Sequence, residues 1–490
     1  MSLDIIFVLV VLLLFFAAFL LLRTTLSMRQ IKPVETLQAV EIDTSKSAAH
    51  LAAAIQIETI SNDVETSPQI TEKLRELRSL LRKNYPLVHT KLEREIVNEG
   101  SLLYLWKGSN PDLLPVLFTS HLDVVPADPD TLADWEHPPF SGAIDDEFIW
   151  GRGTLDIKSQ VVAILEAAEI LLKEGFQPER DIYLAFGHDE EIGGANGARK
   201  MVELLQGSDV HLAAVIDEGG VIIDGMIPGV DGPIAMVGTA EKGYLSLKLT
   251  AKGAEGHSSM PPKTTAIGAL SRVLAKIEAY QQPARLKSIA EIYRSLGAAA
   301  SFKYQLIFSN LWLFGGVARK TLSKSPQTNA TIRTTTGLTM VKGGFKENVL
   351  PPTAEALVNF RLLPGDSIAD VCERVKKIIG DEPVTFEPVE NAHWEATPVS
   401  PVDTQAFEIL DTVIRQVFEG VVVAPYLVLG ATDSRYYADI SDGVYRFSPY
   451  LIEQQDMKRM HGLNERLALK SLDMMVVFFH QLMQSWGKEF

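Results

Sequence analysis

Cysteine is nearly absent from this chain. Cys372 is the only one among 490 residues, so no intramolecular disulfide can form and a thiolate metal cluster lacks its second sulfur. Positive charge is short as well: 46 Lys and Arg face 62 Asp and Glu, a formal net charge of -16. An acidic surface repels phosphate backbones, which argues against nucleic acid as a partner. Glycine (34) and proline (25) stand near ordinary usage, so collagen-like and broadly disordered chains are excluded. Any metal or catalytic chemistry must rest on His, Asp and Glu.

Long apolar runs are lacking too, with one exception. Ile5 to Leu22 is eighteen apolar residues without a break, enough for a helix of roughly 27 Å, about the hydrocarbon thickness of a bilayer. The residues before it carry Asp4 and no Lys or Arg, and the run ends in LLRTT without a small-x-small cleavage site. An uncleaved, single-pass membrane anchor over residues 1–23 is therefore expected rather than a signal peptide. Arg23, Arg29 and Lys32 follow it. They lean toward a cytoplasmic body, but so few charges leave the side open.

Residues 24–46 read as a linker, and globular patterning starts at Ser47. Val116–Thr119, Ile182–Phe186 and Ala213–Ile216 are short apolar runs of the kind that fill buried strands. Ser159–Glu174 carries apolar residues at three- and four-residue spacing and stops at Gly175, which predicts a covering helix. The expected fold is α/β, a mostly parallel sheet with helices. Near residue 239 the texture changes to the alternating LSLKL and AEALVNFRL, so an inserted α+β domain is expected at 239–362. The first domain then comprises 47–238 and 363–490. The stretch 285–330 fits a lid, a dimer contact or a membrane-proximal surface.

Chemistry collects at strand exits. In SHLDVVP, His121 and Asp123 share a face if the strand continues, which lets Asp123 orient the imidazole. In GRGTLDIKS, Asp156 precedes a helix; its two oxygens suit either capping or two cations. The run HDEEIGG brings Asp189, Glu190 and Glu191 together, which without a cation would force protonation. Asp217 and Glu218 in IDEGG follow another apolar strand. His257 in EGHSSMPP and His461 in MHGLNE are further candidates, with Asn464 and Glu465 as supports. Arg361 in VNFRLL and Arg435 in TDSRYY offer planar forks suited to a carboxylate, Arg435 equally to a structural salt bridge.

Taken together, SHLDVVP, GRGTLDIKS, GHDEEIGG, DEGG, GAEGHSSMPP and HGLNE resemble the signature elements of the zinc metallopeptidase family that contains aminoacylase, carboxypeptidases and succinyl-diaminopimelate desuccinylase. The resemblance runs from about residue 50 to the end. Within the family it is nearest to the carboxypeptidase S and N-acyl-aromatic-amino-acid synthase/hydrolase branch. It implies a peptidase-like catalytic domain and a lid that often serves dimerisation. It further implies two zinc ions per subunit, with manganese or cobalt as substitutes: one on His121, Asp156 and Asp217, the other on Asp156, Glu191 and His461. In the same pattern Glu190 is the general base that activates a metal-polarised water, Asp123 orients a ligand, and His257 stabilises the oxyanion. Arg361 matches a position that binds the substrate carboxylate.

The expected activity is cleavage of the amide beside a C-terminal amino acid. Hydrolysis or synthesis of an N-acyl, including N-fatty-acyl, amino acid is the alternative. A noncatalytic membrane-bound metal- or peptide-binding module is the third reading, and the presence of Glu190 beside a full ligand set weighs against it.

Overall fold

A computed structural model describes residues 3–28, 33–35, 40–62 and 68–490. Arg29 and Lys32 lie outside the described residues.

The catalytic body is built on a ten-stranded sheet. Its centre is parallel: Val116–His121 lies between Ile182–Gly187 and Ala214–Asp217, and Val444–Arg446 pairs parallel to the latter. The first two strands are buried at every residue, as their uninterrupted apolar character requires. Antiparallel pairs flank this core, including the hairpin Glu93–Val97/Ser101–Trp106, so the sheet is mixed. Helix Lys158–Glu174 covers one face and ends at Gly175, whose φ of 78° makes a left-handed cap. It packs with the C-terminal helix Leu469–Trp486 in the main hydrophobic core.

The second domain is a four-stranded antiparallel sheet that carries two helices, Ala266–Ala279 and Ile368–Ile379. Its strand Thr353–Leu362 alternates buried and partly exposed positions, as a sheet with one covered face should. The domain does not stop at 362. Ile368–Ile379 and the strand Val384–Trp394 belong to the same sheet and core, so the chain returns to the body only after Trp394. Pairing to Gly243–Lys252, 130 residues or more upstream, decides this, and local spacing carries no trace of it.

Part of the 285–330 stretch packs on neither lid helix. Helix Lys287–Leu296 lies against the outer strands of the catalytic sheet, where Ile292, Tyr293 and Leu296 meet Met236 and Ala424. Helices Phe302–Ser309 and Leu311–Leu322 follow. The N-terminal helix runs from Leu3 to Ser27, so residues 24–27, expected in the linker, extend the helix instead.

Candidate metal centre and active site

Strand exits deliver the side chains. His121 ends the central strand and is 1% exposed. Its Nε2 lies 3.1 Å from Asp156 Oδ1 and 3.1 Å from Glu218 Oε1. The other oxygen of Asp156 lies 2.9 Å from His461 Nε2, which is also 3.4 Å from Glu191 Oε2. Two donor groups result: His121, Asp156 and Glu218, and Asp156, Glu191 and His461. Within each the donor atoms lie within 4.8 Å of one another, and Asp156 gives one oxygen to each.

The geometry corrects one expected ligand. Asp217 does not join the cluster; its Oδ2 accepts the Ser434 backbone N–H at 2.9 Å. The neighbouring Glu218 takes the place, just ahead of the turn at Gly219 (φ 120°). Adjacent carboxylates project to opposite sides, so one of the pair had to face away from the centre.

The loop bearing Asp156 is held from behind by Glu465. Its Oε1 accepts N–H bonds from Gly153 (2.9 Å), Leu155 (2.8 Å) and Asp156 (3.2 Å), while Oε2 pairs with buried Arg152. The Asp156–Ile157 peptide is cis. Asp123 fastens two elements at once. His121 Nδ1 donates to the Asp123 main-chain carbonyl at 3.0 Å, with the carboxylate at 3.4 Å. That carboxylate also accepts the Glu190 and Glu191 N–H groups, both at 3.2 Å, and the Ser61 hydroxyl at 2.7 Å. Asp123 thus joins ligand strand to acidic loop, a wider role than orienting an imidazole.

Asp189 turns away and accepts the N–H groups of Asn196 and Gly197. His188 is buried against Ser101 Oγ at 2.7 Å. Asp433, which the sequence leaves without a definite role, is buried between the ends of the acidic loop. A Cβ on Gly187 or Gly194 would come within 2.2 or 2.0 Å of its carboxyl oxygens, so close approach requires glycine at both.

Electrostatics show what the cluster needs. Burial pushes Glu190 well above the usual carboxylate range; His121 opposes this, and Glu218, Asp433 and Glu191 add to it. Burial, then Asp156, raises Glu218 to about 8. Asp156 resists its burial through bonds from His121 and His461, and falls below the ordinary range. Those same bonds, from Asp156 first and then Glu191, raise His461 to about 10. Glu191 Oε1 is buried and, among the described residues, has no hydrogen-bond partner. Crowded acids, two imidazoles and an orphaned oxygen fit divalent cations with a taste for N and O donors.

The other candidates stand apart. His257 is exposed on a short ribbon of the lid, its Nδ1 2.7 Å from Ser259 Oγ, and belongs to neither donor group. Arg361 is half-buried with its guanidinium 4.5 Å over the Tyr244 ring. Among the described residues no carboxylate pairs with it. Arg435, expected to bind substrate, is already engaged: its donors go to Thr432 O, Gly193 O and Tyr436 OH, and it stacks on Trp394 and Tyr436. It ties the acidic loop to the lid's last strand.

A mixed sheet with an inserted lid and two donor triads sharing one aspartate define a metal-dependent hydrolase. The chain belongs to peptidase family M20/M25/M40, which it matches over residues 117–485; members bind a dinuclear metal site, typically zinc. It is similar to the N-fatty-acyl-amino acid synthase/hydrolase PM20D1 of Xenopus tropicalis, with 42% identity over 440 residues covering 89% of this chain and 85% of that protein. Carboxypeptidase S of Saccharomyces cerevisiae is 34% identical over 470 residues, covering 86% and 81%. Among solved structures, the metallo-carboxypeptidase Sso-CP2 of Sulfolobus solfataricus shares the fold with a TM-score of 0.62 at 18% identity, covering 90% of this chain and 99% of that one.

Proposed function

We propose that this enzyme hydrolyses the amide bond joining an acyl or peptidyl group to an amino acid with a free carboxylate. The observation that carries this is Glu190 beside two donor triads that share Asp156. His121, Asp156 and Glu218 would hold one zinc ion; Asp156, Glu191 and His461 the other. Bound there, the ions polarise the scissile carbonyl and acidify water.

Glu190 accepts the proton from the attacking water and returns it to the leaving amine nitrogen. Asp123 holds Glu190 and His121 in register through the bonds described. Arg361, unpaired and stacked on Tyr244, clamps the amino acid carboxylate. His257 would reach the oxyanion by lid movement or from a second copy docked through the lid.

Removal of a C-terminal residue from a peptide is the first reading of the substrate. Identity of 42% to an N-fatty-acyl-amino acid synthase/hydrolase, beside 39% to a carboxypeptidase S-like protein, supports N-acyl amino acids as a second. A zinc-reconstituted panel of blocked dipeptides and short- and long-chain N-acyl amino acids distinguishes them by kcat/KM. No free amino acid released from any member would overturn the proposal.

We also propose that Leu3–Ser27, 25 residues with mean hydropathy 3.5 over its most apolar window, anchors the chain in a membrane. Extraction by alkaline carbonate without detergent would refute the anchor.

A further inference from the structure

The apolar helix does not leave the body as a free tether. Its C-terminal end is bonded to the hairpin formed by Phe302–Ser309 and Leu311–Leu322. Arg23 Nε donates to Ser309 O at 3.1 Å, Asn310 Nδ2 to Thr24 Oγ1 at 3.0 Å, and Ser27 Oγ to Ser309 Oγ at 2.6 Å. Thr24 and Asn310 are fully buried there. This collar fixes the height of the hairpin against the helix.

That height places apolar side chains level with the membrane run. The Trp312 ring stands 6.0 Å from Phe16 and 6.5 Å from Phe19, edge-on to both. Phe16 lies seven residues before Arg23, roughly 10 Å along a helix axis. Trp312 therefore sits on the hydrocarbon side of the charge that ends the apolar run. Trp312 remains 57% exposed, and Phe302, Leu313 and Val317 of the same hairpin are also exposed, a concentration of bare apolar side chains beside a bare apolar helix. Charge follows the same gradient. Helix Leu311–Leu322 starts LWLF and ends with exposed Arg319 and Lys320, the order that suits a segment entering a bilayer with its cations at anionic headgroups.

We propose that the hairpin 302–322 is a second membrane-inserted element: its first turn, led by Trp312, enters the same leaflet as the N-terminal helix and holds the catalytic body in one pose on the lipid surface. The partner is the bilayer: acyl chains for Trp312, Leu313 and Val317, anionic headgroups for Arg319 and Lys320. The inference rests on the anchor reading, because the geometry carries Trp312 into hydrocarbon only if Leu3–Ser27 spans it.

The helix Leu3–Ser27 contains no tryptophan, so quenching that depends on Trp312 reports the hairpin and not the anchor. The experiment reconstitutes the full chain into vesicles containing lipids brominated on the acyl chain, beside the Trp312→Phe variant. Trp106, Trp135, Trp150 and Trp486 are buried in the body, and half-buried Trp394 stacks on Tyr244 in the lid, so the difference between the two proteins isolates Trp312. The expected result is strong quenching of the unaltered chain and loss of most of it in Trp312→Phe, with retained hydrolysis showing that the variant folds. Equal quenching of both, quenching of Trp312 by aqueous iodide instead, or shielding from both agents (a protein–protein contact) would each overturn the proposal. Flotation of the same vesicles separates the two readings: protein that floats with Trp312 unquenched overturns the hairpin alone, whereas protein that does not float overturns the anchor and the hairpin together.

Discussion

The two halves of the metal centre share Asp156 but are built differently. On one side His121 is 1% exposed at the end of a central strand, with its far nitrogen bonded to Asp123. On the other, His461 has a side chain 50% exposed and sits in a loop at φ 58°, a left-handed conformation that few side chains adopt. Glu218 follows a sheet strand, whereas Glu191 belongs to a short helical turn after one. One half is set by the rigid sheet and the other by loops, so the first should bind its ion more tightly and release it more slowly.

Substituting the shared residue has the largest expected effect. Asp156→Ala should lower metal content at both positions and abolish turnover; two ions per chain by elemental analysis in this variant would end the claim of a bridging carboxylate. Next is Glu190→Gln, which removes a proton acceptor and no ligand. It should keep both ions and lose roughly 10²- to 10⁴-fold in kcat, and unchanged kcat at full metal content would contradict the assignment.

His461→Ala tests the asymmetry directly. It should retain about one ion per chain, whereas His121→Ala should disturb both, because its loss also frees the Glu190–Glu191 loop through Asp123. Loss of equal metal from the two variants would show the halves to be equivalent. In the unaltered protein a chelator should remove ions in two kinetic phases, the faster absent from His461→Ala.

The pH dependence follows from the acids. Without an ion, Glu218 is raised to about 8 and His461 to about 10, so at pH 7 both hold protons that a cation must displace. Metal affinity should therefore rise as pH rises through this range and weaken below it. Calorimetry in buffers of different ionisation enthalpy should detect proton release on zinc binding, and a buffer-independent heat would contradict the crowding described here.

Glu465→Gln is the smallest change. It leaves Arg152 buried without its carboxylate and loosens the loop under Asp156, with an expected cost of about 3 kcal/mol in folding free energy. It should have less effect on kcat than Glu190→Gln. A denaturation midpoint equal to that of the unaltered chain would show that the clamp is not stabilising.

Much of this site is legible in the sequence alone. His121, Asp156, Glu191 and His461 are ligands that the family resemblance implies, and the structure brings all four together. In the sequence the resemblance sets Arg361 apart, while Arg435 suits a structural salt bridge as well as a ligand. Only the structure shows one unpaired and the other occupied by Gly193, Thr432 and Tyr436. The resemblance assigns Asp217 to a metal, and parity alone cannot choose between it and Glu218: the two lie on opposite faces, and which face is the centre depends on the strands alongside.

The sequence by itself determined the chemical inventory: one apolar run, almost no sulfur, and acids and histidines stationed where apolar strands end. These are local properties, fixed by side-chain type and by the two-residue period of a strand. The tertiary structure alone decided that Glu218 rather than Asp217 faces His121, that the lid runs to Trp394, and that Trp312 stands beside Phe16. Each depends on contacts between segments from about a hundred to nearly three hundred residues apart, and spacing along a chain constrains only near neighbours.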